Sequence, residues 1–442
     1  MVTKPTLQEA IFNRRMLICA FTGFTSGLPL YILIQLVPAW LRVEGVGLAE
    51  IGFFTLVGTP YTWKFLWAPV MDRYTLPFLG RRRGWMLVSQ LSLLISIAAM
   101  GLMKPELSIW PVAYLAAAIA FFSASQDIVL DAYRRELLPD AELGLGNTIH
   151  VQTYRLSGLI PGSLAFILAD RMPWEAVFFV VASFMLVGII LTFVIQEALS
   201  QPSPPRTLVD AVVKPFREFF KRNGVSSALL VLAFMFLYKL GDSMATALQT
   251  PFFIDLGYSL TAIGTIAKFS SLIAAIVGGF SGAIVMIKLG INRALWVFGL
   301  VQIVSILGFA VLNELAILTE AALLQEAAFP NFLTLRYDVG ADIYMRWMLG
   351  VVVAFEYLGV GLGAAAFIAF IARTTNTTFA ATQFALFTAL TAVPRTLANA
   401  VTGVIVEQVG WTSFFLICVV VAVPGMLLLF KVAPWNANEE AA

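Results

Sequence analysis

Nine ionisable side chains fall well inside long apolar stretches of this 442-residue sequence: Lys64, Asp127, Asp131, Arg155, Lys239, Asp242, Lys268, Glu356 and Arg395. An ionised group at the centre of a membrane helix costs about 2.5–3.5 kcal/mol even on the lower scales, so nine facing lipid would cost more than about 20 kcal/mol. They must face the protein interior or one another. The densest pattern is Ser123, Asp127, Asp131 and Arg134, at spacings of 4, 4 and 3 residues, which puts two carboxylates on one helix face. A neighbouring like charge strengthens the hold of one carboxylate on its proton, and a nearby Arg155 or Lys64 weakens it. A carboxylate whose proton affinity depends on which cation stands close is what a proton-coupled carrier needs. Depth along the helices suggests the partners: Asp127 with Arg155, Glu356 with Arg395, and Asp242 with either Lys239 or Lys268. The alternative for any one pair is an ion pair that only fixes packing.

The elements that must hold these groups are membrane helices. The chain is 60% hydrophobic and 12% charged, with a mean hydropathy of +0.88; a soluble domain is about 45–50% apolar and about 25% charged. Twelve apolar stretches are bounded by charge, Gly or Pro: 16–41, 50–71, 84–103, 108–134, 146–169, 173–196, 225–254, 260–287, 292–312, 347–372, 378–406 and 410–432. They are too long and too continuously apolar for barrel strands, so helices are expected. Of 28 Lys and Arg, 18 fall on the side of both termini and 5 on the other, which predicts cytoplasmic termini. The first stretch is longer than a signal h-region and lacks an A-x-A site, so it is read as a retained span. A net charge of +2 gives no reason to expect a nucleic-acid partner. Cys19, Cys418 and the single His150 form no ligand set, so no metal and no cofactor is expected.

The organisation expected is a first six-helix bundle over 1–196, a linker over 197–224, a second bundle over 225–434 with an outward insertion at 313–346, and a tail over 435–442. In the linker, Leu208, Val212, Phe216 and Phe219 fall on one face, the pattern of an amphipathic helix on the membrane surface, although Pro215 would interrupt it. No fold is assigned to the insertion. Two internal echoes relate the halves: Leu48-Ala-Glu-Ile-Gly52 with Leu260-Thr-Ala-Ile-Gly264, and Trp174, Phe178 and Phe179 with Trp411, Phe414 and Phe415. Together with the six-plus-six division they suggest two related bundles, hence an all-α integral membrane protein with twelve transmembrane helices in two pseudo-symmetric halves. After the second stretch, Asp72-Arg73 and then Gly80-Arg-Arg-Arg83-Gly84 resemble the loop signature D-R-x-G-R-[RK] of the major facilitator superfamily, with five extra residues between the two parts. Asp72, Arg73, Arg81 and Arg82 are therefore candidates for gating the cytoplasmic side.

Other cavity candidates accompany the charges. They are Tyr61, Gln126, Gln152, Tyr154 and Tyr238, beside Lys64, Lys239, Asp242, Lys268, Glu356 and Arg395. Tyr61, Trp63 and Trp67 form a stripe that could stack on sugar rings or sit at the lipid interface. His150 is expected to pack or hydrogen-bond instead of relaying protons. Asn376-Thr-Thr378 fits a glycosylation triplet on the wrong side for modification.

Several segments resemble the AmpG muropeptide permeases: Ser26-Gly-Leu-Pro29, Ile51-Gly-Phe-Phe54, Lys64-Phe-Leu-Trp67, Met71-Asp-Arg-Tyr74, Gly80-Arg-Arg-Arg-Gly-Trp85, Ser123-Ala-Ser-Gln-Asp-Ile-Val129 with Asp131-Ala132, and Ala381-Thr-Gln-Phe-Ala385. The resemblance runs from the first stretch to the last, and Ser-Gln-Asp-x-x-x-Asp is its most specific part. It implies a proton-driven permease of a Gram-negative inner membrane, importing N-acetylglucosaminyl-1,6-anhydro-N-acetylmuramyl peptides for cell-wall recycling and, through that cargo, influencing β-lactamase induction and antibiotic resistance. The resemblance places the family's span-4 aspartate on Asp127, with Asp131 and Arg155 completing the expected proton-coupling group. The partners expected are the anhydromuropeptide, protons and the bilayer, with a monomeric assembly. Three other readings remain: a carrier of another solute (acetyl-CoA, sugar, peptide or drug), a non-transporting sensor, and a membrane enzyme such as a lipid-linked sugar transferase. The last lacks a nucleophile triad, a metal set or a phosphate-cradling Gly loop.

Overall fold

In a computed structural model of the protein, residues 13–139, 142–197, 217–222, 224–327, 332–375 and 380–436 are described. Among them every regular element is helical. Among the described residues, eight helical runs are long and apolar enough to cross a membrane. The first is α1 (Arg14–Val43), wound more loosely at Ile32–Leu36. The stretch expected at 50–71 is broken into short pieces: α2 (Leu48–Phe53), α3 (Thr59–Trp63), a tight turn at Lys64–Leu66, and α4 (Ala68–Arg73). Then come α5 (Arg81–Met100), α6 (Trp110–Leu137), α7 (Leu143–Ser157), α8 (Ala165–Ala169) and α9 (Trp174–Val194). The later elements are α10 (Val225–Asp255), α11 (Lys268–Ala327), α12 (Phe332–Thr374), α13 (Ala380–Ala400) and α14 (Thr402–Val432).

At about 1.5 Å per residue a 60-residue helix would reach about 90 Å, three times the hydrocarbon thickness. The run α11 is not straight: Gly290, at φ 75°, takes the left-handed conformation that an L side chain resists, and the chain turns there. The 313–346 insertion, left without a fold on sequence, continues α11 to Ala327 and begins α12 at Phe332. Its Ala, Leu, Glu and Gln content favours that outcome. Most of the linker, including Leu208, Val212 and Phe216, lies outside the described residues, as does Asn376-Thr-Thr378. Phe219 is described, and it is buried against Phe387, ring centroids 4.8 Å apart.

The chain packs as two compact units, Met1–Val46 with Leu56–Pro204, and Gly47–Thr55 with Pro205–Ala442. In the first unit α1 lies against α7 closely enough that side chains are excluded: a Cβ at Gly23 would collide with the carbonyl oxygen of His150, and one at Gly27 with that of Tyr154. Without a hydrophobic driving force between helices in lipid, such backbone approach is what holds them together. At one end of this unit Trp40 packs edge-on to Phe178, 5.0 Å between centroids, with Trp174 beside it at 6.5 Å. In the second unit Phe252 meets Trp411 and Phe415, both at 4.9 Å. A second aromatic group there joins Phe234, Phe367, Phe370 and Tyr238. The N-terminus of α2, which belongs to this unit, is closed by Glu407, whose carboxylate accepts from the Ala49 N–H at 2.9 Å.

The arginine-rich turn before α5 is fixed inside the first unit. Arg81 and Arg82 both reach the Glu136 carboxylate of α6, at 3.1 and 2.7 Å, with Arg82 and Glu136 buried. Glu197 accepts from the backbone N–H groups of Arg82 and Arg83, at 2.7 and 3.2 Å, capping the start of α5. The Arg83 side chain closes the other helix end by donating to the Thr192 and Phe193 carbonyls. Arg73 lies over the Tyr74 ring at 6.0 Å. Asp72 lies in the last turn of α4, and its side chain is outside the described residues.

Two outcomes follow. Gly27→Val should destabilise the protein by about 1–3 kcal/mol through overpacking, read as a lower thermal midpoint in detergent; an unchanged midpoint would deny the α1–α7 approach. Glu136→Ala strands buried arginine and should destabilise by about 3–5 kcal/mol, whereas Glu218→Ala, in a partly exposed pair with Arg222, should stay within about 1 kcal/mol. Equal effects would contradict the burial described.

Candidate functional site

A cavity of about 390 Å³ opens in the first unit, lined by Ser26 and Tyr31 of α1, Asp127, Asp131 and Arg134 of α6, and His150, Val151, Tyr154 and Arg155 of α7. That volume suits a small-molecule site. Gly27 and Gly23 let α1 and α7 close up, and Ser26 of α1 lies within 2.5 Å of Asp127 on α6, its hydroxyl donating to Oδ1. The other oxygen, Oδ2, faces Lys64 Nζ at 3.7 Å. Lys64 gets there because the helical stretch around it breaks after Trp63 (φ −98°, ψ 6°) and tightens over Lys64–Leu66.

The partner expected for Asp127 was Arg155; among the described residues no ion pair joins them, and Lys64 stands in that place. Arg155 lines the same cavity. Matching depths along two helices says nothing of rotation about their axes, and it treats a broken helix as whole. Asp131 pairs with Arg134 on its own helix at 2.9 Å, and Arg134 also donates to Asn147 at 2.8 Å. The α6 face thus runs from the mostly covered Asp127 to the half-exposed Asp131. His150 Nδ1 lies 3.3 Å from the Thr22 hydroxyl. The rings of Tyr31 and Tyr154 meet at 5.8 Å, tilted by 59°, giving the cavity an aromatic wall.

Next to Asp127 is a set of buried polar groups without hydrogen-bond partners among the described residues: the Tyr61 and Ser123 hydroxyls and both ends of the Gln126 amide. Trp67 donates its indole N–H to Ser125 at 3.0 Å and lies 5.1 Å from Phe121, so the Trp67 ring serves packing within the unit. Gln152 lies on α7 and is not among the cavity-lining residues.

The second unit holds its own polar cluster. Helix α10 breaks at Lys239 (φ −105°, ψ 3°), and the segment that follows, Leu240–Ala247, has Asp242 in its first turn, where a carboxylate is favoured. Lys239 Nζ and Asp242 Oδ2 are 2.9 Å apart, both nearly buried, which selects Lys239 over Lys268 among the two partners the sequence left open. Lys239 also reaches Gln302 at 3.4 Å, and Gln302 donates to the Gly359 carbonyl at 3.0 Å. Lys268 opens α11 and is half-buried. Glu356 was expected to meet Arg395. Instead its carboxyl faces Asp242, Lys239 and Ser305, while Arg395 donates Nε to the Thr391 carbonyl of its own helix at 3.0 Å and has Asp242 as its acidic neighbour. Tyr238 is buried, its hydroxyl donating to the Leu295 carbonyl at 2.9 Å and its ring stacked on Phe367.

Sequence reasoning did not single out Glu136, Glu197, Gln302 or Ser305. The two glutamates lie at helix ends, where charge is ordinary, and the neutral pair lacks any charge to draw attention. A polar residue within an apolar run was the available signal for Gln302.

Comparison with known proteins supplies the family. The sequence model described as Major Facilitator Superfamily matches residues 19–342. An uncharacterised protein of Haemophilus influenzae is 49% identical over 431 residues, covering 97% of each chain. The anhydromuropeptide permease of Escherichia coli K12 is 42% identical over 417 residues, 94% of this chain and 79% of that one. Among solved structures, the nucleoside transporter NupG superposes with a TM-score of 0.68 at 12% identity, over 96% of this chain and all of the other, a likeness of fold alone. The chain accordingly belongs to the AmpG permeases of the major facilitator superfamily, a family of multi-pass membrane carriers and not of enzymes.

Proposed function

We propose that the protein imports anhydromuropeptides, N-acetylglucosaminyl-1,6-anhydro-N-acetylmuramyl sugars with or without peptide, across a Gram-negative inner membrane by alternating access. The observation that carries this reading is the 42% identity, over 94% of the chain, with a protein named for that cargo. The first-unit cavity supports it: Arg134 and Arg155 can meet carboxylates of a peptide stem, and Tyr31 and Tyr154 offer aromatic faces to sugar rings. In this reading the chain crosses the bilayer twelve times in two related six-helix halves with both termini cytoplasmic. The parallel aromatic nests, Trp40 with Trp174 and Phe178, and Phe252 with Trp411 and Phe415, support the repeat. The excess of Lys and Arg on one side supports the orientation. Supplying the cell-wall recycling route makes β-lactamase induction an indirect consequence.

Uptake is driven by protons in this reading, with no cofactor, and Asp127 is the coupling carboxyl. Its two oxygens are held by a hydroxyl and by one movable cation, so displacement of Lys64 changes its affinity for a proton. Asp131 and Arg134 shape the field at the cavity's open side, and Arg155 serves cargo or, once Lys64 has moved, Asp127.

The test is uptake of labelled anhydromuropeptide into membrane vesicles with and without an imposed pH gradient, with acetyl-CoA and plain sugars as competitors. Gradient-driven accumulation that the unlabelled muropeptide alone suppresses is expected; suppression by acetyl-CoA would redirect the cargo. Asp127→Asn should reduce gradient-driven accumulation at least tenfold while leaving the amount of folded protein unchanged. Wild-type accumulation by that variant would remove Asp127 from the coupling role.

A further inference from the structure

The second unit contains more acid than its neighbouring lysine can balance. Glu356 on α12 is fully buried, and among the described residues neither of its carboxyl oxygens has a hydrogen-bond partner. Asp242 Oδ1 is also buried without a partner, whereas its Oδ2 is held by Lys239 at 2.9 Å. The groups facing Glu356 are Asp242 and Lys239 of α10, Ser305 of α11 and the Cys418 thiol of α14. Arg395 of α13 acts on Asp242 while its Nε is held by a backbone carbonyl. The Ser305 hydroxyl is donated to the Gln302 carbonyl at 2.9 Å. Two carboxyls therefore share one close ammonium.

An ionised carboxylate with no hydrogen bond in an apolar interior is so costly that the group neutralises. Neutralising Glu356 does more than remove a charge. A protonated carboxyl is a donor, and the unpartnered acceptor that faces it is Asp242. One proton satisfies both orphaned groups. A metal cation would satisfy them too, but Lys239 Nζ already occupies the cationic place beside Asp242.

We propose that Glu356 and Asp242 form a second proton-binding site, contained wholly in the second unit, where one proton bridges a Glu356 oxygen and Asp242 Oδ1 while Lys239 balances the remaining charge. The proton comes from water and no other bond is made or broken. Because Lys239 can serve either acid, lysine and proton exchange places: when the ammonium moves to Glu356, the proton passes to Asp242. The site does not depend on what Asp127 does or on which cargo is carried.

Infrared spectroscopy of the purified full-length protein in lipid tests this without transport. At neutral pH the wild-type-minus-Glu356→Gln spectrum should contain a protonated-carboxyl C=O band that shifts in D2O. Asp242→Asn, which keeps Glu356, should also lose the band, because Glu356 then ionises to pair with Lys239. Asp127→Asn should retain it. The proposal is overturned if Glu356→Gln leaves the spectrum unchanged, if Asp242→Asn keeps the band, or if Asp127→Asn abolishes it. Failure here leaves the uptake result at Asp127 untouched, so the two readings are judged separately.

Discussion

Charge inside an apolar interior must be balanced within a few ångströms, and the polar architecture of this protein answers to that requirement. Water screens poorly there, and an ion without a partner is expensive. Each unit meets the demand with its own lysine and carboxylate: Lys64 with Asp127 in the first, Lys239 with Asp242 in the second. The pairs differ in a way that matters for function. The first is looser, at 3.7 Å with Lys64 a third exposed, and it borders a cavity; the second is tight and nearly buried. A loose pair beside open space can be rearranged by a ligand. The tight pair has, among the described residues, no bordering space of that kind, and its rearrangement is a local exchange of ammonium and proton.

Helix irregularity makes both pairs possible. Lys64 and Lys239 each sit where helical geometry lapses, so their side chains leave the register a continuous helix would impose. In the first unit Gly27 lets α1 approach α7, and the neighbouring Ser26 donates to Asp127 of α6. Outside the apolar layer, Glu136 and Glu197 anchor the arginine turn before α5. Arg81 and Arg82 thus have a firm partner within their own unit, and any gating by the turn must work with that anchorage in place.

Local relations were legible in the sequence, and angular ones were not. The helical character follows from the length and continuity of the apolar runs. The Lys239–Asp242 pair follows from a three-residue spacing, and Gly290 falls in the short gap left between two of those runs. Pairing between helices was harder. The sequence matched Asp127 to Arg155 and Glu356 to Arg395 by depth, but a residue's direction around its axis depends on where the helix breaks and on which backbones touch. Arg395 shows the point, since its Nε donates to a carbonyl one turn back and its acidic neighbour is Asp242, not Glu356. The 313–346 insertion was unreadable because its polarity suits a loop, while its Ala- and Glu-rich composition suits the helices that form.

The requirement for local balance is tested most directly by comparing the thermal midpoints, in lipid, of Lys239→Met and of Lys239→Met combined with Asp242→Asn. Removing the lysine alone takes from Asp242 its closest counter-charge; removing both deletes the charge and its partner together. The double variant is expected to melt above the single one. A double variant melting at or below Lys239→Met would mean that charge balance does not organise this interior.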